Sequence, residues 1–416
     1  MSAEITLSRR AVWGWAERAW IPFAVGFYFS FRLCVVLVST RLLGLEPSTG
    51  AALSIGFDLS LLGLVCFDSI GPGERSFGSV LRLPAVRCVL LYLAFSGLSL
   101  LWSDAASPAN SIAYWCGLVI DVAMVVLLQR RDRGDESAGA IIRGFVCSSC
   151  LLAAVAWLMP AAADLRLGDE QFFNTNEIGN LCAFAIFFAQ YLTRHRHGSW
   201  RVAKLFLALT LVRSLSKATL AAFVVSEACL LLMDSSMSRK TKMLLAIGSL
   251  TMVLAFWGLF ETYYEVYTTT GNQAETFTGR TAIWLYAANA TFDHPSTPWI
   301  GHGFDAWWKV VPPFGNQFFE ARHAENEVLQ QFYAYGVAGV VLLAGIYGGL
   351  FRQLRRLPAS SEKTVFLCVL IFVLVRGLAE ADAFDLLLPL WSVVLISVMA
   401  DDRAGYADAS PAARAP

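Results

Sequence analysis

Three stretches in the second half of this 416-residue chain gather side chains that bind anions or move protons: GRTAIW (279–284), PWIGHGFDAWW (298–308) and RHAENEVLQQFYAYG (322–336). Arg280 stands where a polar stretch gives way to a segment with Ile283, Trp284 and Tyr286 available for burial. A guanidinium is a planar fork of donors matched to phosphate oxygens, and it keeps its charge at any working pH. His323 follows Arg322 at the head of an apolar run, with Asn326 close behind. A helix starting there turns its N-terminal amides and positive dipole end toward a bound anion. Together these are the parts of a diphosphate site. An interfacial His323 bonded to Glu325 or Glu327 is the plainer alternative.

A metal centre can be drawn from Asp293, His294, His302, His323 and Glu325. No pair among them has the i,i+4 histidine spacing of a helical zinc site, so neither metal nor cofactor is expected. His195 and His197, in TRHRHGSWR, read as a solvated basic loop. Cys147 and Cys150 form a C-x-x-C inside an apolar stretch, where two small packing residues are the simpler reading. The nine cysteines imply no disulfide framework.

The elements that must position these residues are membrane helices. A hydrophobic fraction of 56% with only 15% charged residues excludes an ordinary soluble enzyme. A formal net charge of zero gives no reason to expect a nucleic-acid partner. Apolar runs near 20–43, 51–67, 84–102, 111–129, 141–159, 177–193, 202–214, 218–233, 243–262, 327–351, 363–378 and 384–400 predict an all-α polytopic membrane protein of about twelve transmembrane helices. The first run reads as a retained span. The whole of 1–416 reads as one transmembrane domain. A long polar-rich loop, about 263–326, containing short helices, is inserted between spans 9 and 10. The runs at 202–214 and 218–233 are short, as expected of broken or tilted helices meeting near one face at RSLSK (213–217).

Cations orient these spans, because cytoplasmic loops carry the excess of Lys and Arg. With both termini cytoplasmic, only Arg41, Arg166, Arg213, Lys217, Arg280, Lys309, Arg322 and Arg376 fall outside, and Arg32 lies within a span. The long loop is then periplasmic. Cations gathered on the face where they are normally scarce suggest something anionic there, against the alternative of snorkelling helix ends or local pairs such as Arg376 with Glu380. Arg32, Asp58, Asp121 and Glu227 lie within spans, where an unpaired charge costs roughly 2.5 to 3.5 kcal/mol or more. They face the bundle or mark a transport path, which keeps a transporter or flippase reading open.

The order of GRTAIW, P-x-x-GHGF and HAENEVLQQFYAYG resembles the O-antigen ligase and polymerase superfamily of bacterial multi-span glycosyltransferases. FFNTNEIG (172–179) is similar to the family's Asn-rich helix start, SLSKATL (214–220) to its Ser-Arg or Ser-Lys segment, and VRGLAEADAF (375–384) to its Arg and Glu stretch. The resemblance covers about residues 165–400. Glu325 stands where the family often has a second histidine, His302 replaces a tyrosine, and Lys217 replaces an arginine. The resemblance implies a metal-independent glycosyltransferase of the bacterial inner membrane. Its donor would be an undecaprenyl-diphosphate-linked oligosaccharide taken at the periplasmic face. Its acceptor would be another lipid-linked glycan in a polymerase, or lipid A core in a ligase. GRTAIW, the Ser-Lys pair and the Arg-to-Glu segment lie closer to exopolysaccharide polymerases. His323 and Arg280 are the expected catalytic residues, with His323 as general base or as a donor to the diphosphate. Arg213, Lys217, Arg322, Asn326, Asn176, Arg376, Glu380 and Trp284 are the expected substrate-binding residues. Membrane lipid and a chain-length regulator are the further candidate partners.

Overall fold

The computed structural model describes residues 2–70, 75–131, 135–159, 166–168, 173–194, 199–234, 238–255, 277–314 and 320–409. These residues fold as helices with no sheet: α1 Ser2–Leu37, α2 Pro47–Asp68, α3 Phe77–Leu81, α4 Pro84–Ser99, α5 Pro108–Arg131, α6 Asp135–Leu158, α7 Thr175–Arg194, α8 Arg201–Ser214, α9 Lys217–Met233, α10 Arg239–Ala255, α11 Phe277–Ala290, α12 Thr297–Ile300, α13 Glu327–Arg356, α14 Ser361–Arg376 and α15 Leu390–Ala409. Helices cover most of the described length of the apolar runs, and the 384–400 run begins outside a helix, since α15 starts at Leu390. Five of the helices, over Ala19–Leu42, Thr49–Asp68, Pro108–Arg131, Glu136–Leu158 and Glu327–Arg356, are long and apolar enough to cross a bilayer by length and composition. The end of the 243–262 run, the first part of the long loop up to 276, and His195 with His197 lie outside the described residues. The described part of the loop contains α11 and α12, the short helices expected there.

Aromatic rings knit the centre. Trp391 of α15 stacks on Phe29 of α1 at 4.3 Å and meets Phe145 of α6 at 5.5 Å. Small residues let α1 and α6 cross closely: a Cβ on Gly26 would stand 1.9 Å from the Ile141 carbonyl oxygen. In lipid, where water does not drive helices together, such backbone approach is what holds a crossing.

The charged residues Arg32, Asp121 and Glu227 inside spans have polar partners within the bundle. Arg32 Nη2 donates to both oxygens of Asp121 at 2.7 and 2.8 Å and lies 3.8 Å from Asp58, tying α1, α2 and α5 together. Glu227 of α9 accepts from Gln190 Nε2 of α7 at 2.6 Å. All nine cysteines are free thiols.

A second, smaller core fastens the loop to the bundle. Ile283 and Ala287 of α11, Trp307, and Ala324 pack with Tyr333 of α13. Trp307 Nε1 donates to the Ala321 carbonyl at 3.0 Å. The bond between loop and helix is made at a break: Gly336 has φ 63° and ψ −155° in the middle of α13. The break frees carbonyls, and the GHGF turn supplies their partners, with the His302 N–H on Tyr333 O at 3.0 Å and the Gly303 N–H on Ala334 O at 2.8 Å. A Cβ on Gly301 would stand 2.2 Å from Ala334 C, and one on Gly336 2.4 Å from Trp299 C, so both glycines are required by the approach.

Candidate active site at the loop and bundle junction

Five separate segments converge. The first is the start of α7, where Asn174 and Glu177 cap reciprocally: the Glu177 N–H donates to Asn174 Oδ1 at 2.9 Å, and the Asn174 N–H to Glu177 Oε2 at 3.3 Å. This capping box sets Asn176 on the first helical turn. The second is the α8–α9 junction, where Leu215 takes a left-handed φ of 59° and turns the chain so that Ser216 faces Asn176. The third is the first turn of α11, with Arg280. The fourth is the stretch 320–326 ahead of α13, whose N-cap Asn326 accepts from the Leu329 N–H at 3.0 Å. The fifth is the α14–α15 connection, from Arg376 through Glu380.

Arg280 is the hub. Its Nη2 lies 3.2 Å from Glu325 Oε2 and 3.4 Å from Glu380 Oε1. Glu380 is 1% exposed, and its Oε1 also accepts from Asn176 Nδ2 at 2.9 Å. The Asn176 amide is fixed from behind by Ser216 Oγ, which donates to Oδ1 at 2.7 Å. Ser216 Oγ lies 2.8 Å from Thr219 Oγ1, which accepts from Arg376 Nε at 3.2 Å. Ser216 Oγ, with one proton, stands as donor to both Asn176 Oδ1 and Thr219 Oγ1, so these contacts link Arg376, Thr219, Ser216, Asn176 and Glu380 in one network. The backbone around this network is held too. Asn326 Nδ2 donates to Leu378 O at 3.2 Å, and the buried Glu327 accepts from Tyr347 Oη at 2.7 Å and the Leu387 N–H at 2.8 Å.

His323 lies beside Glu325. Its Nδ1 accepts the Glu325 N–H at 3.2 Å and is 3.8 Å from Glu325 Oε1. Trp284 Nε1 reaches the Glu325 carbonyl at 3.3 Å, and Glu325 itself has a left-handed φ of 52°. Burial holds the His323 imidazole below its usual range, with Arg376 and Arg280 acting in the same direction and Glu380 and Asp382 opposing them. Burial and the neighbouring Glu325 push Glu380 up to about 7, against the pull of Arg376, His323 and Arg280.

His323, Glu325 and Glu380 bring one nitrogen and two carboxylate oxygens within 4.8 Å of one another, a donor set of the kind divalent ions use. Arg280, against both carboxylates, already supplies the positive charge, so we read the group as an ion-pair network. The other residues of the metal centre drawn from sequence go elsewhere. His294 Nδ1 pairs with Ser296 Oγ at 2.7 Å, and His302 bridges Asp104 and the Ala290 carbonyl at 3.1 Å each.

Of the expected site residues, the structure brings together Arg280, His323, Asn176, Arg376, Glu380, Asn326 and Trp284. Arg322 stacks over Trp308 at 5.3 Å. Arg213 and Lys217 flank the α8–α9 junction, half-buried and exposed respectively, and Ser216 and Thr219 of the same junction touch the network. Those two hydroxyls were missed in the sequence, although the SLSKAT stretch spaces them three residues apart at a helix start. Within the network, Arg280 Nε, Arg376 Nη1 and Glu380 Oε2 are buried with no hydrogen-bond partner among the described residues. Two unspent cationic donors and one unspent acceptor, all buried, suit an anionic ligand that also carries hydroxyls.

Residues 202–344 match the O-antigen ligase family. That segment is about a third of the chain. An O-antigen ligase from Pseudomonas aeruginosa is 32% identical over 108 residues, an alignment spanning 25% of this chain and 25% of that relative. Both similarities support the O-antigen ligase and polymerase superfamily, on which the motifs had already converged. The matched segment contains the α8–α9 junction, Arg280, the GHGF turn and His323. Asn176, Arg376 and Glu380 lie outside 202–344 and join that segment through tertiary contacts alone.

Proposed function

We propose that this protein is an inner-membrane glycosyltransferase that transfers an oligosaccharide from a polyprenyl-diphosphate carrier at the periplasmic face. The observation that carries the reading is the convergence of Arg280 and Arg376, each with a buried unspent donor, beside His323 and Glu380 within and against the segment that matches the O-antigen ligase family. The two guanidiniums would stabilise the charge that develops on the departing diphosphate, a task for fixed electrostatics, with no metal required. The carrier, the twelve-span count, the cytoplasmic termini and the outward-facing site belong to this proposal, supported by the cation distribution and the five long apolar helices.

Two acceptors fit the same chemistry. Transfer to lipid A core is favoured by the O-antigen ligase relative and family match. Polymerisation of lipid-linked repeats, the expectation from the wording of GRTAIW and the Arg-to-Glu segment, is the alternative, with a chain-length regulator as a further partner. A transporter or flippase fits less well, because Arg32 is held by Asp121 within the bundle and Glu227 accepts from Gln190.

A gel profile of carrier-linked and cell-surface glycan in a deletion strain tests this. Full ladders stranded on the carrier are the result for a ligase, and single carrier-linked repeats the result for a polymerase. An unchanged profile would overturn the glycosyltransferase reading.

A further inference from the structure

The Glu325 N–H donates to His323 Nδ1. That nitrogen therefore offers a lone pair, and the neutral ring keeps its proton on Nε2. Protonating Nδ1 would set one N–H against another, so the loop backbone disfavours the imidazolium that a histidine base would become. His323 is built to donate from Nε2. The unspent acceptor of the site is on Glu380: Oε1 is taken by Asn176 and Arg280, while Oε2 is buried and unpartnered among the described residues.

Resting on the glycosyl-transfer reading above, we propose that Glu380 Oε2 accepts the proton of the attacking sugar hydroxyl, while His323 Nε2–H donates to an oxygen of the departing diphosphate. The hydroxyl oxygen forms the new bond to the anomeric carbon. The bond from that carbon to the phosphate oxygen breaks, and its electron pair leaves with the diphosphate. The hydroxyl proton resides on Glu380 and is later lost to solvent, which restores the carboxylate. Glu380 is poised for this near neutral pH, where a general base is most effective. The charged and titratable groups facing it are Arg280 of α11, Glu325 and His323 of the 320–326 stretch, and Arg376 of α14, with Asp382 of its own connection acting on His323 and Arg376.

The experiment uses membranes from a deletion strain carrying plasmid-borne full-length variants, with that strain's own carrier-linked glycan as donor and its native acceptor. Initial transfer rates are read from about pH 5.5 to 9. Glu380→Gln keeps an oxygen for Asn176 and Arg280 but cannot take a proton, and it is expected to lose about 10² to 10⁴-fold. His323→Gln keeps an N–H near the place of Nε2, so the rising limb of the rate with pH persists. Glu380→Gln within about threefold of wild type, or a limb lost only in His323→Gln, overturns the proposal. An independent readout is the imidazole ¹⁵N spectrum of histidine-labelled protein, which has five histidines, with His323→Gln identifying the signal. A bare Nδ1 and a protonated Nε2 near neutral pH are expected, and the opposite tautomer or an imidazolium overturns the assignment. Wild-type membranes that transfer no glycan would remove the functional reading itself, an outcome distinct from activity that survives in Glu380→Gln.

Discussion

Arg280→Ala is the substitution that most directly probes the site. One Nη2 serves two carboxylates, at 3.2 Å to Glu325 and 3.4 Å to Glu380. Coulomb's law gives each contact about 5 kcal/mol at an effective dielectric of about 20 and about 1 kcal/mol at that of water. Removing one partner of a buried ion pair costs about 3 to 5 kcal/mol in practice, because the remaining charge is stranded. In this site the stranded charge has another outlet: Glu380, already pushed up to about 7, takes a proton. About 3 kcal/mol expressed that way moves its titration alkaline by roughly two units, at 1.36 kcal/mol per unit. Under the proposed glycosyl transfer the same substitution removes a donor to the leaving group, for which a loss of about 10² to 10³ in turnover is expected. Glycan transfer in membrane vesicles across the pH range reads both effects. Arg280→Lys should recover charge and little activity, since a single ammonium does not reproduce the fork. An Arg280→Ala protein at wild-type level, with normal transfer and an unmoved pH profile, would refute the assignment of Arg280 to the site.

Two further outcomes follow from the geometry. The folded-state pKa of Glu380 is raised from 4.5 to about 7, so its contribution to stability is fully present below the unfolded value and is lost as pH rises through about 7. The loss is on the order of 3 kcal/mol; the melting temperature of detergent-purified protein should fall between pH 5 and 8, and Glu380→Gln should flatten that fall. Gly336→Ala sets a Cβ 2.4 Å from Trp299 C at a φ of 63° and ψ of −155°. The strain alone is of order 1 to 3 kcal/mol, and the clash adds to it. Gly348→Ala on the same helix meets nothing within 4 Å and should be neutral or stabilising by up to about 1 kcal/mol. Equal melting temperatures for the two variants would show that the Pro298–Ile300 segment does not wedge against α13.

The amino-acid sequence by itself determined the helical class, because apolar runs bounded by polar breaks have few other ways to satisfy their backbone in lipid. It also singled out stretches that the structure brings together. Arg280, His323, Asn176, Arg376 and Glu380 were legible because charged and amide groups at helix ends, in a chain with so few of them, stand out against the apolar background. What the sequence did not carry was partnership. Arg376 and Glu380, four residues apart, suggest a local pair, yet Glu380 meets Arg280 a hundred residues earlier and Arg376 meets Thr219. Such long-range contacts depend on how helices pack, which periodicity within one helix does not encode. Glu325 is the clearest case. From spacing it is either a neighbour for His323 or a stand-in for a second histidine, and its backbone N–H is invisible. Only the left-handed turn at Glu325, held by Trp284 and the second core, aims that N–H at His323 Nδ1 and so decides which nitrogen carries the proton.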